Sequence, residues 1–310
     1  MSFKEMPESE FALWQRLIED RTGLWLPENR KTFLLSKLVN RIRVKGMGSY
    51  GEYFASLMNS GEEAEWPTLV DLLTVHETRF FRDADAMKLV QDFAKDIIQN
   101  EIKQRKTARS DTVRELLAKR EPLTNLIQVW SVGCSTGEEV YSLAMQLQTL
   151  SNANESPFYF GVTGTDISYP SLAIAKKGRF KRSRIQQIPA NLRAQYFVSD
   201  DAEYSRISDE IKDRVCFVQG NLGELEQSPV QLYNIVYCQN VLIYFQPQRK
   251  KEILDQLVRR LTSGGLLVLA PGEAMNWKHD EMQKVPHPTC LAFKKCKSES
   301  NNLRSNYGRK

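Results

Sequence analysis

The segment that most constrains this chain is Trp130-Ser-Val-Gly133-Cys134-Ser-Thr136-Gly137-Glu138-Glu139-Val-Tyr141-Ser142. An apolar run, Leu126 to Trp130, leads into it and reads as a buried parallel strand. Val140, Leu143, Ala144 and Leu147 then recur at helical spacing, which predicts a helix beginning near Gly137. Strand, tight glycine turn, helix is the opening of a nucleotide-binding α/β fold. The charge sets this example apart. A phosphate-binding loop leaves its helix N-terminus open for an anion. Here Glu138 and Glu139 occupy the first turn, which disfavours a pyrophosphate and favours a cation. A second reading stays open: acidic residues suit the positive end of any helix dipole.

The rest of the chain places that segment. Residues 9 to about 73 read as four helices. Ser9 is the expected N-cap of the first, whose stripe of Phe11, Trp14, Leu17 and Ile18 ends at Gly23. The second is predicted from about Glu28 to Arg43, with Leu35, Leu38, Val39 and Ile42 on its apolar face. Arg30, Lys37, Arg41, Arg43 and Lys45 give it a basic side. Residues 100 to 125 are charged and read as a solvated connector. From 126 onward strands and helices alternate, with strands expected at 158–165, 215–218, 233–238 and 266–270, the last introduced by Gly264-Gly265. A late antiparallel strand is expected at 290–294. Such alternation predicts a doubly wound, mostly parallel sheet. Residues 178 to 213 interrupt it and read as a small inserted subdomain, and 298–310 as a disordered tail.

Composition narrows the function classes. No apolar run approaches a membrane span, and the polar N-terminus lacks the apolar core of a signal peptide. Five cysteines without a CxxC pair read as free thiols in a reducing cytoplasm. Three histidines without an HExxH motif give no expectation of a metal. The formal charge of +5 permits an acidic partner without requiring nucleic acid.

Candidate site residues fall where strands end. Asp166 closes the second strand and can accept both hydroxyls of a ribose, or cap the helix that follows. Gly220-Asn221-Leu222 follows the third strand, and an amide such as Asn221 can read an adenine edge. Gln239-Asn240-Val241-Leu242-Ile243-Tyr244-Phe245 follows the fourth. An adenosine cofactor that carries cations and no phosphate fits these features together; S-adenosylmethionine, with an ammonium and a sulfonium, is one. Before the sheet lies Thr78-Arg79-Phe80-Phe81-Arg82. On residue types alone the phenylalanines read as core and Arg82 as a surface charge; a bidentate contact to a carboxylate is the other reading.

Together these segments resemble the CheR family of chemotaxis receptor methyltransferases over about residues 9–296. Thr78-Arg79-Phe80-Phe81-Arg82 is similar to the family's T-x-F-F-R motif, and Trp130 to Ser142 to its W-S-x-x-x-S-T-G-E-E-x-Y-S motif. Thr165-Asp166-Ile167 resembles its T-D-I motif, and Asn240 to Phe245 its N-V-x-I-Y-F motif. The resemblance implies a Rossmann-like α/β methyltransferase fold with an N-terminal all-helical domain and a small insert. The implied division is 1–75 for receptor recognition, 76–125 as connector and 126–297 as the methyltransferase domain. It implies a cytoplasmic enzyme that uses S-adenosylmethionine to esterify glutamates on the cytoplasmic helices of methyl-accepting chemoreceptors, leaving S-adenosylhomocysteine. His76, Thr78, Arg82, Gly133, Glu139, Asp166, Asn221, Leu222, Gln239 and Asn240 would line the cofactor pocket. Arg82 and Tyr244 would sit nearest the reacting methyl, and Lys37, Arg41 and Arg43 would face the receptor.

The chain departs from the family's usual Asn at His76, Arg at Gln239, and G-H-S-E around Ala270-Pro271-Gly272-Glu273-Ala274. Its insert lacks the Gly-bounded loop of members that dock on a receptor's C-terminal pentapeptide, which implies independence of that tether. A paralogue serving a pilus or other non-flagellar array fits these departures. Two rival readings are a nucleic-acid methyltransferase, against which no D/N-P-P-Y/F motif follows the fourth strand, and an adaptor that binds S-adenosylmethionine without turnover.

Overall fold

In a computed structural model of the chain, residues 5–59, 64–74, 77–107, 123–154 and 158–296 are described. Four helices come first: α1 (Glu8–Thr22), α2 (Lys31–Val44), α3 (Tyr50–Met58) and α4 (Glu65–Leu73). The entry to α1 differs from the Ser9 cap expected. Pro7 holds the cap position and Glu8 opens the helix, with Glu8 and Glu10 at its positive end. Gly23, at φ 74°, closes it by donating to Glu19. A single 3₁₀ turn, Glu28–Arg30, precedes α2. Trp14, Leu34, Leu38, Ile42, Tyr53 and Leu69 are fully buried in one shared core.

One basic residue of α2 takes part in that packing. Arg41 donates through Nε and Nη2 to the two carboxylate oxygens of Glu65, which is 3% exposed. Tyr53 donates to the same carboxylate at 2.8 Å. A buried carboxylate needs such partners, and a guanidinium fork supplies them best. Arg41, expected to face the receptor, thus spends its fork on tying α2 to α4.

The long helix α5 (Ala84–Thr107) replaces the first part of the expected connector. Met87, Val90, Ala94 and Ile98 recur at helical spacing and are buried in the main core, which is why the segment docks despite its charge. Residues 108–122 and 297–310 lie outside the described residues.

A seven-stranded sheet forms the main body. In chain order its strands and those of the insert are β1 (Leu123–Val132), β2 (Phe158–Asp166), β3 (Arg179–Lys181), β4 (Phe197–Ser199), β5 (Tyr204–Ile207), β6 (Val215–Gln219), β7 (Tyr233–Cys238), β8 (Leu261–Leu269), β9 (Met282–Val285) and β10 (Leu291–Lys295). The large sheet runs β6-β2-β1-β7-β8-β10-β9, and β3-β5-β4 form a separate small antiparallel sheet. All pairings from β6 to β8 are parallel; β10 runs antiparallel to both neighbours. The fifth parallel strand starts at Leu261, earlier than expected. Gly264, at φ 77°, bends within it where the register against β7 shifts. The short edge strand β9 carried no readable alternation. Strand order reverses between β1 and β7, and at such a point the loops after the strands part to leave a crevice.

Candidate active site

The turn after β1 builds the floor of that crevice. Gly133 and Cys134 donate to the carbonyl of Thr165 at 2.8 and 2.9 Å, locking the turn to the end of β2. Gly133 has φ 70°, and a Cβ there would lie 2.4 Å from Val241, so only glycine lets the two loops meet. Gly137, at φ 92°, then opens helix α6 (Glu138–Asn152). Asp166 accepts from the backbone N–H of Ser135 at 2.7 Å and of Ser168 at 2.8 Å. Those two bonds fix the direction in which its carboxylate edge meets the cleft.

A partly enclosed hollow occupies this crevice. Gly133, Asp166, Asn221, Leu222, Asn240 and Tyr244 line it from the sheet domain; Thr22, Leu24, Leu73 and Thr74 close it from the helical domain. A second hollow adjoins it through Asn240 and is lined by Arg79, Arg82, Asp83, Asp85, Gln239 and Pro271. Three of the four positive-φ residues other than glycine among the described residues, Phe81, Ser135 and Asn240, lie in the segments around these hollows. Strain of this kind persists where surroundings hold it, and it gathers at functional sites.

The two adjacent acids of the motif part company. Glu138 is fully buried, takes the Thr136 hydroxyl at 2.6 Å, and lies 3.0 Å from Arg184 of the insert. Glu139 is largely buried and accepts from Ser131 at 2.7 Å. Burial pushes its carboxyl up to about 8, against the Ser131 bond and the charge of Arg82; Glu273 and Asp83 push the same way as burial. Of the pair, Glu139 alone keeps some exposure, and it lines neither hollow.

Arg82 is exposed and donates to the Glu77 carbonyl at 2.7 Å. Tyr244 stands in the first cleft with the Arg30 guanidinium 5.6 Å from its ring centre. Burial raises its hydroxyl above the usual range, while the charges of Arg30 and Arg82 oppose that shift. The two residues thus flank Asn240 from neighbouring hollows.

Other expected site residues sit differently. The amide of Asn221 is committed within the chain: its oxygen accepts from Gly223 at 2.8 Å and its nitrogen donates to Glu224 and to the Arg21 carbonyl. It lines the cleft but does not offer a whole amide edge to an adenine. Leu222 gives an apolar wall beside it. Gln239 is buried, accepting from Tyr237 at 3.1 Å and donating to the Leu269 carbonyl. Thr78 lines neither hollow; its carbonyl accepts from Arg184 at 3.1 Å. His76 lies outside the described residues. Lys37 stacks over Phe33 at 5.4 Å, Arg43 is exposed at the end of α2, and neither lines a hollow.

One residue was noted in the sequence only within a departure from the family's pattern, not as a site residue. Glu273 is 3% exposed and accepts from the N–H groups of Val241, Leu242 and Ala270 at 2.8 to 3.0 Å. It shapes the loop that carries Asn240 and Tyr244. An acid just past the fifth strand, after Pro271-Gly272, was the available signal.

Residues 76–291 match the family model described as "CheR methyltransferase, SAM binding domain", and residues 9–74 the one described as "CheR methyltransferase, all-alpha domain". The chain is 30% identical over 261 residues to "Chemotaxis protein methyltransferase 2" of Pseudomonas aeruginosa, covering 83% of each chain. It is 28% identical over 280 residues to "Chemotaxis protein methyltransferase" of Escherichia coli, covering 89% of this chain and 87% of that one. With "Chemotaxis protein methyltransferase Cher2" of Pseudomonas putida it shares 28% over 280 residues, 89% of this chain and 94% of the other.

Proposed function

The chain belongs to the CheR methyltransferase family, whose S-adenosylmethionine-binding domain spans residues 76–291, and on that premise we propose that it esterifies glutamate side chains on the helical cytoplasmic domain of a chemoreceptor. The observation that carries this reading is the pair of hollows joined at Asn240, one lined by Asp166 and the other by Arg82.

The cleft fits S-adenosylmethionine on its own chemistry. Asp166 presents acceptors for a ribose diol, and Leu222, Val241 and Phe245 supply apolar surface for a purine. Glu139, raised by burial, gains from the approach of an ammonium or sulfonium. When bound, S-adenosylmethionine supplies a methyl group already activated on a sulfonium. No general base is needed, because a substrate glutamate is ionised at neutral pH, its reference pKa being about 4.3.

The protein's part is then to bind and to align. Arg82, which lines the second hollow, orients the incoming carboxylate. Too firm a grip would blunt the nucleophile, so one exposed arginine suits the task better than a buried clamp. Tyr244 walls the path between the hollows, and Asn240 sets their distance. Attack neutralises opposite charges, so a water-poor junction favours it. Positioning of this kind supplies up to about 7–11 kcal/mol in favourable cases.

The substrate lies in the cytoplasm on this reading, consistent with a chain in which, among the described residues, no helix is long and apolar enough to cross a membrane. On this reading docking proceeds without a receptor pentapeptide tether: the β4–β5 turn is short and tied to β3, with Arg179 paired to Asp200 and Asp201. The test is transfer of labelled methyl from S-adenosylmethionine to a receptor cytoplasmic fragment. We expect label that is released as methanol by mild base. Label stable to base, or label on nucleic acid, overturns the reading; tight cofactor binding with no transfer makes the protein an adaptor.

A further inference from the structure

Glu138 has no side-chain exposure, and it stands directly before Glu139, the acid proposed above to meet the cofactor's cations. The insert supplies its charge partner: Arg184, itself 43% exposed, places Nη1 3.0 Å from Glu138 Oε1. The other arm of the same guanidinium donates from Nη2 to the Thr78 carbonyl at 3.1 Å. Thr78 begins the segment that ends in Arg82. One side chain therefore touches both the helix start that carries Glu139 and the loop that carries Arg82.

Independent contacts run along the same line. Phe80 packs edge-on against Phe180 and Phe197 of the insert, at 5.0 and 5.5 Å. The N–H of Phe81, at φ 51°, donates to the Ser142 hydroxyl at 3.0 Å, and that hydroxyl donates to the Glu138 carbonyl at 2.6 Å. The aromatic contacts suffice to fasten the insert. They do not call for a guanidinium that forks between a fully buried acid and a main-chain carbonyl.

We propose that Arg184 is a positioning residue for methyl transfer. Its Glu138 arm sets the start of α6, and with it the acid that faces the cofactor. Its Thr78 arm sets the 78–82 segment, and with it the guanidinium that faces the substrate. The insert thereby couples the two hollows through a residue that lines neither.

The two arms separate by experiment. Calorimetry with S-adenosylhomocysteine reads the first, and steady-state methyl transfer reads the second; only the second rests on the function proposed above. Arg184→Ala is expected to weaken cofactor affinity about tenfold, the scale of ordinary coupling between sites. It should also lower kcat, by up to about a hundredfold if Arg82 moves by an ångström. Arg184→Lys can still meet Glu138 with a point charge but cannot fork to Thr78, so affinity should return and turnover should not. Adding Glu138→Gln to Arg184→Ala removes the uncompensated buried charge and should restore affinity as well. Wild-type affinity and turnover in Arg184→Ala, with only its melting temperature lowered, overturn the proposal. A double variant that binds as weakly as Arg184→Ala overturns it too. If the wild type transfers no methyl to receptor glutamate, the functional reading fails while the affinity series still decides the role of Arg184.

Discussion

Glu139 gives the site a pH dependence through its raised carboxyl. Its pKa is pushed up to about 8 by burial in the free protein, so below that pH the group holds a proton that the unfolded chain has already lost. The native state then binds more protons than the unfolded one. Its contribution to stability falls as pH rises from the ordinary carboxylate range to about 8. Cofactor binding runs the other way, because a bound ammonium wants the carboxylate. Affinity for S-adenosylhomocysteine should rise as pH approaches 8, by up to about tenfold per unit. A proton is released on binding, which calorimetry in buffers of different ionisation heat detects. Glu139→Gln should flatten this profile; an unchanged slope would take Glu139 out of the cofactor contact. Asp166→Ala should cost about 2–3 kcal/mol for its charge-assisted bonds, roughly a hundredfold in affinity, with the fold retained. Arg82→Ala should lower kcat more than affinity, and Tyr244→Phe should lose less because no proton transfer is required. Loss confined to cofactor affinity in Arg82→Ala would move that residue to the cofactor side. At this scale Gly133, Asp166 and Asn240 were legible because strand ends and turn chemistry locate them. The division of labour between Glu138 and Glu139 was not. Neighbours on a helix point about 100° apart, and only the insert decides which of them is buried.

Helix α2 shows where element-scale reading stops. Its basic stripe was plain in the sequence, but Arg41 leaves the stripe to meet Glu65, a partner 24 residues away. Charge alone cannot tell a solvated arginine from one whose fork is spent inside. Burial by itself would raise Glu65; the bonds from Arg41 and Tyr53 and the charges of Arg41 and Lys45 overcome it and hold the carboxyl below its usual value. A depressed carboxyl contributes stability at neutral pH that is lost as pH falls through its folded value. Arg41→Ala should therefore cost about 3 kcal/mol at pH 7, since it strands a buried carboxylate. The difference from wild type should shrink in acid, as denaturant melts at pH 7 and pH 3 would show. Glu65→Gln should cost less, because the arginine it strands is partly exposed and can hydrate. Equal losses for the two variants would mean that the helices are held by their apolar faces alone. The same limit explains α5: its charges read as connector, while four well-spaced apolar residues settle its place on the sheet.

The whole molecule puts the cleft where its two halves meet. Trp25 donates to the Tyr244 carbonyl at 2.8 Å, Gln246 to Glu19 at 2.8 Å, and Asn221 to the Arg21 carbonyl at 3.3 Å. These bonds join the end of α1 to the loops after β6 and β7, so the helical domain forms one wall of the cofactor cleft. Sequence order could not show that closure, because its partners lie some 200 residues apart. It also fixes what α2 can do. Lys37 and Arg43 line neither hollow, so a role for them must act at a distance, by drawing an acidic helix toward the Arg82 side. Such steering acts on encounter and is screened within a Debye length of about 8 Å at physiological salt. Reversing both residues to Glu should raise KM for the receptor fragment several-fold at low salt, by roughly 1 kcal/mol or more of lost attraction. The variant's KM should change less with salt than the wild type's, and kcat and the affinity for S-adenosylhomocysteine should hold. Because Arg41 is left in place, the helical core stays intact and a loss of activity cannot be put down to unfolding. A KM and salt response equal to wild type would assign the basic side of α2 to solvation, and recognition would then rest on the residues around the second hollow.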